Sequence, residues 1–245
     1  MDTARRRAYL TLMGVTLYRP RGEVDPIDTT SAPPVAEGEG EGRPTSPPPA
    51  LPRARTEQAL DWEGLRAQVA DCHACQLWQT RTQTVFGVGN QTARLMVIGE
   101  APGADEDRQG EPFVGRAGQL LNAMLAAIGQ PREQVYIANV LKCRPPGNRD
   151  PKPEEAQQCE DFLLRQIEWV APRLILAVGR IAAQHLLQSG RPVGELRGVV
   201  HRFGLRAIPL VVCYHPAYLL RSPEQKANAW KDLKLALRQL QLTNS

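Results

Sequence analysis

Four of the five cysteines are spaced in a way that suits metal binding. Cys72 and Cys75 form a Cys-x2-Cys pair, and Cys143 and Cys159 follow far downstream, with fifteen residues between them. Four thiolates can hold either a structural zinc ion or an iron–sulfur cluster, and the spacing leaves both possibilities open. A ligand set of this kind also predicts a reducing compartment, because cysteines of exported proteins are usually paired in disulfides.

The segment between the two cysteine pairs contains a turn and an aromatic residue that suit a binding pocket. Gly99–Gly103 is a tight turn of small residues, where backbone N–H groups can approach a ligand closely, although a plain strand-to-helix turn has the same composition. Phe113 stands in a loop between proline and glycine residues. It is either a platform on which a base stacks or a hydrophobic anchor for that loop.

Two polar side chains follow predicted strands. Asn139 offers a hydrogen-bond donor and an acceptor side by side, so a fixed amide could distinguish bases with reversed edge groups, such as uracil and cytosine. A loop-capping asparagine is the alternative. His215 is held by the proline that follows it and is placed to donate a hydrogen bond to developing negative charge. A structural histidine is the alternative.

The elements that must position these residues alternate along the chain. Strand patterns occur at 94–99, 135–139, 174–178 and 208–214, and helix patterns at 117–128, 153–170, 181–187 and 225–240, after a first amphipathic helix that begins near residue 56. This order predicts a mostly parallel sheet covered by helices on both faces. Ligands of such sheets bind beyond the carboxyl ends of the strands. The residues expected to meet at that edge are Glu100, Asn139, Gly179 and His215.

By composition the chain divides into three segments. Residues 1–22 form a short terminal segment, and residues 23–55 are rich in proline, glycine and glutamate, which predicts a disordered linker. Residues 56–245 form the predicted domain. The net charge of +4 belongs to this domain, because residues 1–58 hold eight arginines and eight acidic residues. Such an excess permits a polyanion partner but does not require one.

The first residues contain a weak export pattern. Arg5–Arg7 and the apolar stretch behind them are faintly similar to a twin-arginine signal. The stretch is short, is broken by Thr11 and Gly14, and lacks a small-residue cleavage site. No window approaches the roughly 20 apolar residues of a membrane span. The sequence therefore predicts a cytoplasmic protein.

Five motifs of this chain together resemble the family 4 uracil-DNA glycosylases. The motifs are Cys72–Cys75, Gly99–Gly103, Pro112–Gly118, Asn139–Pro146 and His215–Arg221. The first 55 residues lie outside the resemblance. The resemblance implies a three-layer α/β/α sandwich and a base excision repair enzyme that flips uracil out of DNA and hydrolyses its N-glycosidic bond, leaving an abasic site.

The resemblance also implies a set of site residues. A [4Fe-4S] cluster is expected on Cys72, Cys75, Cys143 and Cys159, which leaves Cys213 as a buried non-ligand. The implied substrate-binding residues are Gly99, Glu100, Ala101, Phe113, Asn139 and His215. Glycine is also common in the family where Ala101 stands, which matters little if only its backbone contacts the base.

The implied catalytic residues are Glu100, Glu106 and His215. His215 would stabilise negative charge on the leaving base, and either glutamate could position the attacking water, whereas Asp105 and Asp107 are expected to be solvated loop or capping residues. Three further residues are expected to contact DNA as an apolar wedge and a phosphate ligand, namely Leu219, Leu220 and Arg221. A helix start is the alternative for these three.

Three alternatives to a turnover glycosylase follow from the same residues. Relatives that become covalently attached to DNA carry a basic, histidine-containing insertion after the asparagine region, but Arg144–Lys152 contains no histidine. A non-catalytic iron–sulfur protein that binds uracil or nucleic acid would keep the pocket without turnover. An electron-transfer centre is disfavoured because the chain lacks a compact ferredoxin-type run of cysteines.

The expected partners follow from the same interpretation. They are uracil-containing DNA, single- or double-stranded, and a repair or replication protein bound through the N-terminal extension. We expect no membrane association and a monomeric chain.

Overall fold

The structure is a computed structural model that describes residues 61–242. The predicted segments 1–22 and 23–55 and the domain boundary at residue 56 lie outside these residues. Among residues 61–242, no helix has both the length and the apolar character needed to cross a membrane.

Strands and helices alternate through the described chain. The strands are β1 (Val88–Gly89), β2 (Leu95–Gly99), β3 (Tyr136–Asn139), β4 (Leu174–Val178), β5 (Val200–Phe203) and β6 (Ile208–Cys213). The helices are α1 (Trp62–Ala70), α2 (Ala104–Gln109), α3 (Arg116–Ala127), α4 (Pro153–Val170), α5 (Arg180–Leu187), α6 (Val193–Leu196), α7 (Pro216–Arg221) and α8 (Lys226–Leu242). Short 3-10 turns occur at Gln76–Gln79, Arg132–Gln134, Pro146–Asn148 and Pro223–Gln225.

The six strands form one sheet in the order β1-β3-β2-β4-β6-β5. The four central strands are parallel, and β1 and β5 pair antiparallel at the two edges. Gly99 lies opposite Asn139 in the register, and Val178 lies opposite Cys213. The carboxyl ends of the central strands are therefore level, and the predicted mostly parallel sheet is confirmed.

Alternate residues of the central strands face two different helical layers. Met96 and Ile98 of β2 belong to the core formed with α4 and α5. Leu95 and Val97 of the same strand belong to the core formed with α3 and α8. Because both faces are covered, the strands are continuous apolar runs rather than alternating ones. The molecule is thus the expected three-layer α/β/α sandwich.

Helix α4 has the limits that its sequence predicts, because its start is encoded locally. Pro153 occupies the first turn, where a missing N–H has no cost. The Glu155 carboxylate accepts a hydrogen bond from the Lys152 backbone N–H at 2.9 Å and forms an ion pair with Arg149 at 2.6 Å. Cys159 lies one turn further along this helix, on its buried face.

The sequence interpretation missed the short edge strands β1 and β5 and the helix α2. It was also wrong about Asp107, which was expected to be solvated. Asp107 lies in α2 and is only 2% exposed, because its two carboxylate oxygens accept hydrogen bonds from the Thr82 backbone N–H at 3.0 and 3.1 Å. Asp105 remains on the surface and pairs with Arg108.

Candidate active site

The carboxyl ends of the parallel strands border an open cleft of about 420 Å³. Glu100 follows β2, Asn139 ends β3 and His215 follows β6, and all three line this cleft. Gly179 follows β4 and lies against His215, since a Cβ at Gly179 would be 3.1 Å from the His215 Cβ. The structure therefore brings to one edge the four residues that the strand pattern places there.

Asn139 lies at the floor of the cleft with one hydrogen-bonding atom unused. The residue is only 2% exposed, and its Oδ1 is buried without a partner among the described residues. Gly99 permits this arrangement, because a Cβ at that position would lie 2.4 Å from Asn139 Oδ1 and 2.6 Å from Phe113 Cζ. A buried acceptor without a partner costs free energy, and an N–H donor entering the cleft would satisfy it.

Phe113 forms an aromatic wall of the same cleft. Its backbone has a φ of 56°, a left-handed conformation that is costly for a residue with a side chain. Its ring centroid lies 5.6 Å from that of His215, with the two planes tilted by 31°. The residue is 6% exposed and also belongs to the core beside α3. Phe113 therefore anchors its loop and presents a ring to the cleft.

Replacing Gly118 with alanine should disturb the Phe113 loop. The added Cβ would lie 1.8 Å from the Phe113 carbonyl oxygen, so the loop or α3 must shift. We expect a loss of about 1–3 kcal/mol in unfolding free energy and weaker ligand binding in the cleft. Denaturant unfolding measures the first effect. Gly190→Ala is the matched control, because no heavy atom lies within 4 Å of its Cβ position, and equal stability of the two variants would contradict this account.

The Glu106 carboxylate is occupied by backbone donors. It accepts hydrogen bonds from the N–H groups of Gly103 at 3.1 Å, Val114 at 3.1 Å and Gly115 at 3.3 Å. These bonds tie the turn after β2 to the Phe113 loop. A carboxylate engaged in this way is better suited to hold the loop than to activate a water molecule.

Glu100 has an environment that suits a general base. Burial and the neighbouring charge of Asp150 raise the pKa of Glu100 to about 7, while Arg180 acts in the opposite direction. Asp150 and Arg180 form an ion pair with each other. A carboxyl group whose pKa lies near neutral pH can accept a proton efficiently in a transition state. Because three backbone N–H groups engage the Glu106 carboxylate, Glu100 is the remaining candidate for a general base.

His215 is fixed as a neutral donor. It is the N-cap of α7, and its Nδ1 accepts a hydrogen bond from the Ala217 backbone N–H at 3.1 Å. The ring proton therefore resides on Nε2. Burial, together with the charge of Arg221, lowers the pKa of His215 to about 4, so the ring is uncharged at neutral pH. A neutral imidazole held in this tautomer can donate one hydrogen bond into the cleft.

The residues expected to contact DNA do not all reach the surface. Leu219 is 1% exposed and packs in the core beside α3 and α8, so it is not available as a wedge and that expectation is wrong. Leu220 is 38% exposed on the next position of α7, and Arg221 lines the cleft. Eight further residues line the cleft without having been named individually as site residues, namely Pro102, Gly103, Ala117, Pro145, Asn148, Arg149, Ala217 and Tyr218. Of these, Asn148 and Arg149 lie outside the five sequence motifs. A proline-rich turn directly after the β3 motif was the available signal for the loop at 145–149.

The four paired cysteines surround a second, smaller cavity. Cys72 and Cys75 follow α1, Cys143 lies in the loop after β3, and Cys159 lies in α4. Within residues 61–242, no three His, Cys, Asp or Glu side chains converge as a site for one metal ion. Cys213 lies apart at the end of β6 and is fully buried, as expected for a non-ligand.

Arg81 connects two of the segments around the cysteine cavity. Its Nη1 donates to the Cys143 Sγ at 3.1 Å and to the Cys72 carbonyl oxygen at 2.8 Å, and its Nη2 donates to the Ala70 carbonyl oxygen at 2.9 Å. The guanidinium thus links the carboxyl end of α1 to the loop after β3.

The amino-acid sequence is similar to those of known uracil-DNA glycosylases. The sequence profile of the Uracil DNA glycosylase superfamily matches residues 86–234. A "Type-4 uracil-DNA glycosylase" of Archaeoglobus fulgidus is 45% identical over 174 residues, which are 68% of this chain and 87% of that protein. A protein of the same description from Thermotoga maritima is 45% identical over 158 residues, 63% of this chain and 81% of its own length.

A more distant relative is also similar over most of the domain. A "Type-5 uracil-DNA glycosylase" of Pyrobaculum aerophilum is 31% identical over 172 residues, which are 63% of this chain and 74% of that protein. The higher identity to the type-4 proteins agrees with the resemblance carried by the five motifs. The profile match extends over more than half of the chain and includes the cleft, and we conclude that this protein belongs to the uracil DNA glycosylase superfamily, with type-4 proteins among its relatives.

Proposed function

We propose that this protein excises uracil from DNA by hydrolysing the N-glycosidic bond and leaving an abasic site. The observation that carries the proposal is the unpartnered Asn139 Oδ1 at the floor of a cleft that also holds the Phe113 ring and the neutral His215. An acceptor, a stacking surface and a single donor are the groups that recognition and departure of a uracil ring require. The relatives named above as uracil-DNA glycosylases support the same activity.

Base recognition uses the amide and the aromatic ring. The target nucleotide must leave the base stack before its glycosidic bond can be reached. The flipped uracil stacks on Phe113, and Asn139 Oδ1 accepts its N3–H while the amide NH₂ donates to O4. Cytosine presents the reverse pattern at both positions, so the fixed amide rejects it. Ala101 and the turn at Gly99–Gly103 bring backbone N–H groups to the ring.

Bond cleavage uses His215 and Glu100. As the C1′–N1 bond breaks, its electron pair moves into the uracil ring, and His215 Nε2–H stabilises the negative charge that develops on O2. The sugar becomes oxocarbenium-like. A water molecule held by the Glu100 carboxylate attacks C1′, and its proton passes to Glu100. The uracil anion then takes a proton from solvent.

The activity is tested by looking for the free base. Purified protein is incubated with a uracil-containing oligonucleotide, and the products are separated by chromatography. We expect free uracil and an abasic strand in equal amounts. An intact oligonucleotide that remains bound to the protein would show instead a non-catalytic binding protein.

The raised pKa of Glu100 predicts the pH dependence of the reaction. The base must be ionised, so kcat/KM should rise with pH through about 7, the pKa of Glu100 in the folded protein. Asp150 raises that pKa, so Asp150→Asn should lower it and shift the rising limb toward lower pH. Asp161→Asn on the exposed side of α4 is the control. A limb that stays in place in Asp150→Asn, or moves to higher pH, would contradict the role of Glu100.

We further propose that Cys72, Cys75, Cys143 and Cys159 hold a [4Fe-4S] cluster. Thiolates are the usual ligands of such clusters, the four side chains line one cavity, and the relatives described as type-4 uracil-DNA glycosylases support the same assignment. Burial raises the pKa of the Cys143 thiol, and the Arg81 guanidinium, which donates a hydrogen bond to its Sγ, acts in the opposite direction. The cluster would supply a crosslink between α1, the loop after β3 and α4.

Leu220 is exposed next to the cleft and is the candidate wedge, and Arg221 is the candidate phosphate ligand. Binding dominated by phosphate contacts should weaken steeply with salt.

We propose that the protein acts as a monomer in the cytoplasm, where cysteine ligands stay reduced. A repair or replication partner on residues 1–55 stays a prediction.

A further inference from the structure

Lys142 is a buried cation with only neutral side-chain partners. It is 1% exposed, and its Nζ donates to the Asn139 carbonyl oxygen at 3.0 Å and to Gln166 Oε1 at 2.6 Å. No carboxylate of residues 61–242 forms an ion pair with it. Removing an ammonium group from water without a counter-charge is strongly unfavourable, and negative charge close by would stabilise it.

The groups that can supply this charge are the cysteines around the second cavity. The backbone N–H of Lys142 donates to Cys159 Sγ at 3.2 Å, and Cys143 is the next residue in the chain. Lys142 itself lines the cysteine cavity. Cysteines bind iron as thiolates, so the ammonium gains its counter-charge when the cavity is loaded.

The same lysine contacts the backbone of the base pocket. Asn139 carries the amide at the floor of the cleft, and its carbonyl oxygen is the acceptor for Lys142 Nζ. The next residues continue the β3 register, with Val140 N–H donating to the Gly99 carbonyl at 2.9 Å and Leu141 N–H donating to the Glu100 carbonyl at 3.0 Å. Five consecutive residues, 139–143, therefore run from the base pocket to the cysteine cavity.

We propose that Lys142 is a positioning residue that couples the loaded cysteine cavity to Asn139. Its backbone N–H contacts Cys159 Sγ and its ammonium contacts the Asn139 carbonyl, so the amide reaches its uracil-reading position when the cavity is occupied. The inference rests on the proposed function and gives the cluster a role in substrate recognition besides its role as a crosslink. Gln166 fixes the other side of the ammonium, since its Nε2 donates to the Phe86 carbonyl at 2.9 Å and to the Tyr136 hydroxyl at 3.2 Å.

The test measures uracil preference per cluster-loaded molecule. The probe is an oligonucleotide with 2′-fluoro-2′-deoxyuridine, which resists cleavage, and the reference is the same strand with thymidine. Cluster content is followed by iron analysis and visible absorbance. In Lys142→Met, whose side chain has a similar volume without the charge, we expect loaded molecules to lose about tenfold or more of the wild-type preference and to release iron faster.

Arg81→Gln is the matched control. It removes the contact with Cys143 Sγ and leaves the Asn139 carbonyl untouched. We expect faster iron release, while the molecules that remain loaded keep the wild-type preference for uracil. Wild-type preference in loaded Lys142→Met, even with a lower melting temperature, would show a lysine that only fills the core and would overturn the proposal.

Gln166→Glu tests the same coupling with Lys142 in place. A carboxylate next to Nζ gives the ammonium a counter-charge that does not depend on the cluster. As the cluster is removed by oxidation, uracil preference should fall more slowly in Gln166→Glu than in the wild type. Parallel losses in the two proteins would overturn the proposal. Loaded wild-type protein without any preference for uracil would instead refute the proposed function itself.

Discussion

Replacing His215 with alanine should lower kcat for uracil excision by about 10²–10³, because removal of one donor to a developing oxyanion typically has an effect of this size. The His215 ring is neutral, and its Nε2–H is the remaining donor once Nδ1 accepts from the Ala217 N–H. Uracil-containing DNA should still bind, since Asn139 and Phe113 are unchanged. Single-turnover kinetics with saturating enzyme measures the chemical step directly.

Two further variants separate catalysis from folding. Alanine also removes the N-cap of α7, which typically contributes about 0.5–2 kcal/mol. His215→Asn supplies a good capping side chain, so it should restore stability without restoring the rate. His201→Ala removes a histidine that contacts the Leu196 carbonyl away from the cleft and should leave the rate unchanged. Turnover of His215→Ala at the wild-type rate would remove this residue from the mechanism.

Asn139→Asp should gain excision of cytosine and lose excision of uracil. The carboxylate accepts at both oxygens, so it can pair with the exocyclic amine of cytosine but no longer donates to O4 of uracil. Discrimination by one bidentate pair is worth about 1–3 kcal/mol, so the uracil-to-cytosine ratio should fall by about fivefold to 150-fold. Parallel rate measurements on the two substrates give this ratio.

The control for this variant is the same change outside the cleft. Asn122 lies on α3, and its Oδ1 accepts a hydrogen bond from Arg132 at 3.2 Å. Asn122→Asp should leave the ratio of uracil to cytosine excision as it is in the wild type. An unchanged ratio in Asn139→Asp would mean that another group reads the base.

Much of the site could be predicted because strand ends are encoded locally. The apolar runs of β2, β3, β4 and β6 identify the strands, and the parallel order then places Glu100, Asn139 and His215 at one edge. These inferences need only the chain order and the hydrophobic pattern. The assignment of all four cysteines to one cluster was instead implied by the resemblance, and the structure places the four around one cavity.

The rest depends on contacts between separate segments. The role of Glu106 as a loop anchor arises from bonds to Val114 and Gly115, and the burial of Asp107 arises from Thr82 in another loop. Neither partner is marked by sequence pattern. The short edge strand β5 is half-buried rather than a continuous apolar run, so it gives a weak signal.

The orientation of α7 could not be predicted either. Leu219 and Leu220 are the same residue type and adjacent in sequence, yet Leu219 is buried in the core and Leu220 is exposed beside the cleft. Only the rotation of the helix, which His215 and Pro216 set at its start, determines which leucine faces solvent. A wedge role therefore cannot be assigned from a dipeptide alone.

Uracil excision is tested most sharply with matched oligonucleotides that carry U, T or C at one position. Each is incubated with the cluster-loaded protein and then treated with alkali, which breaks the strand at abasic sites. We expect strand breaks at U alone, with the yield greatly reduced in His215→Ala. Equal cleavage of all three strands, or no cleavage of the U strand, would contradict this expectation.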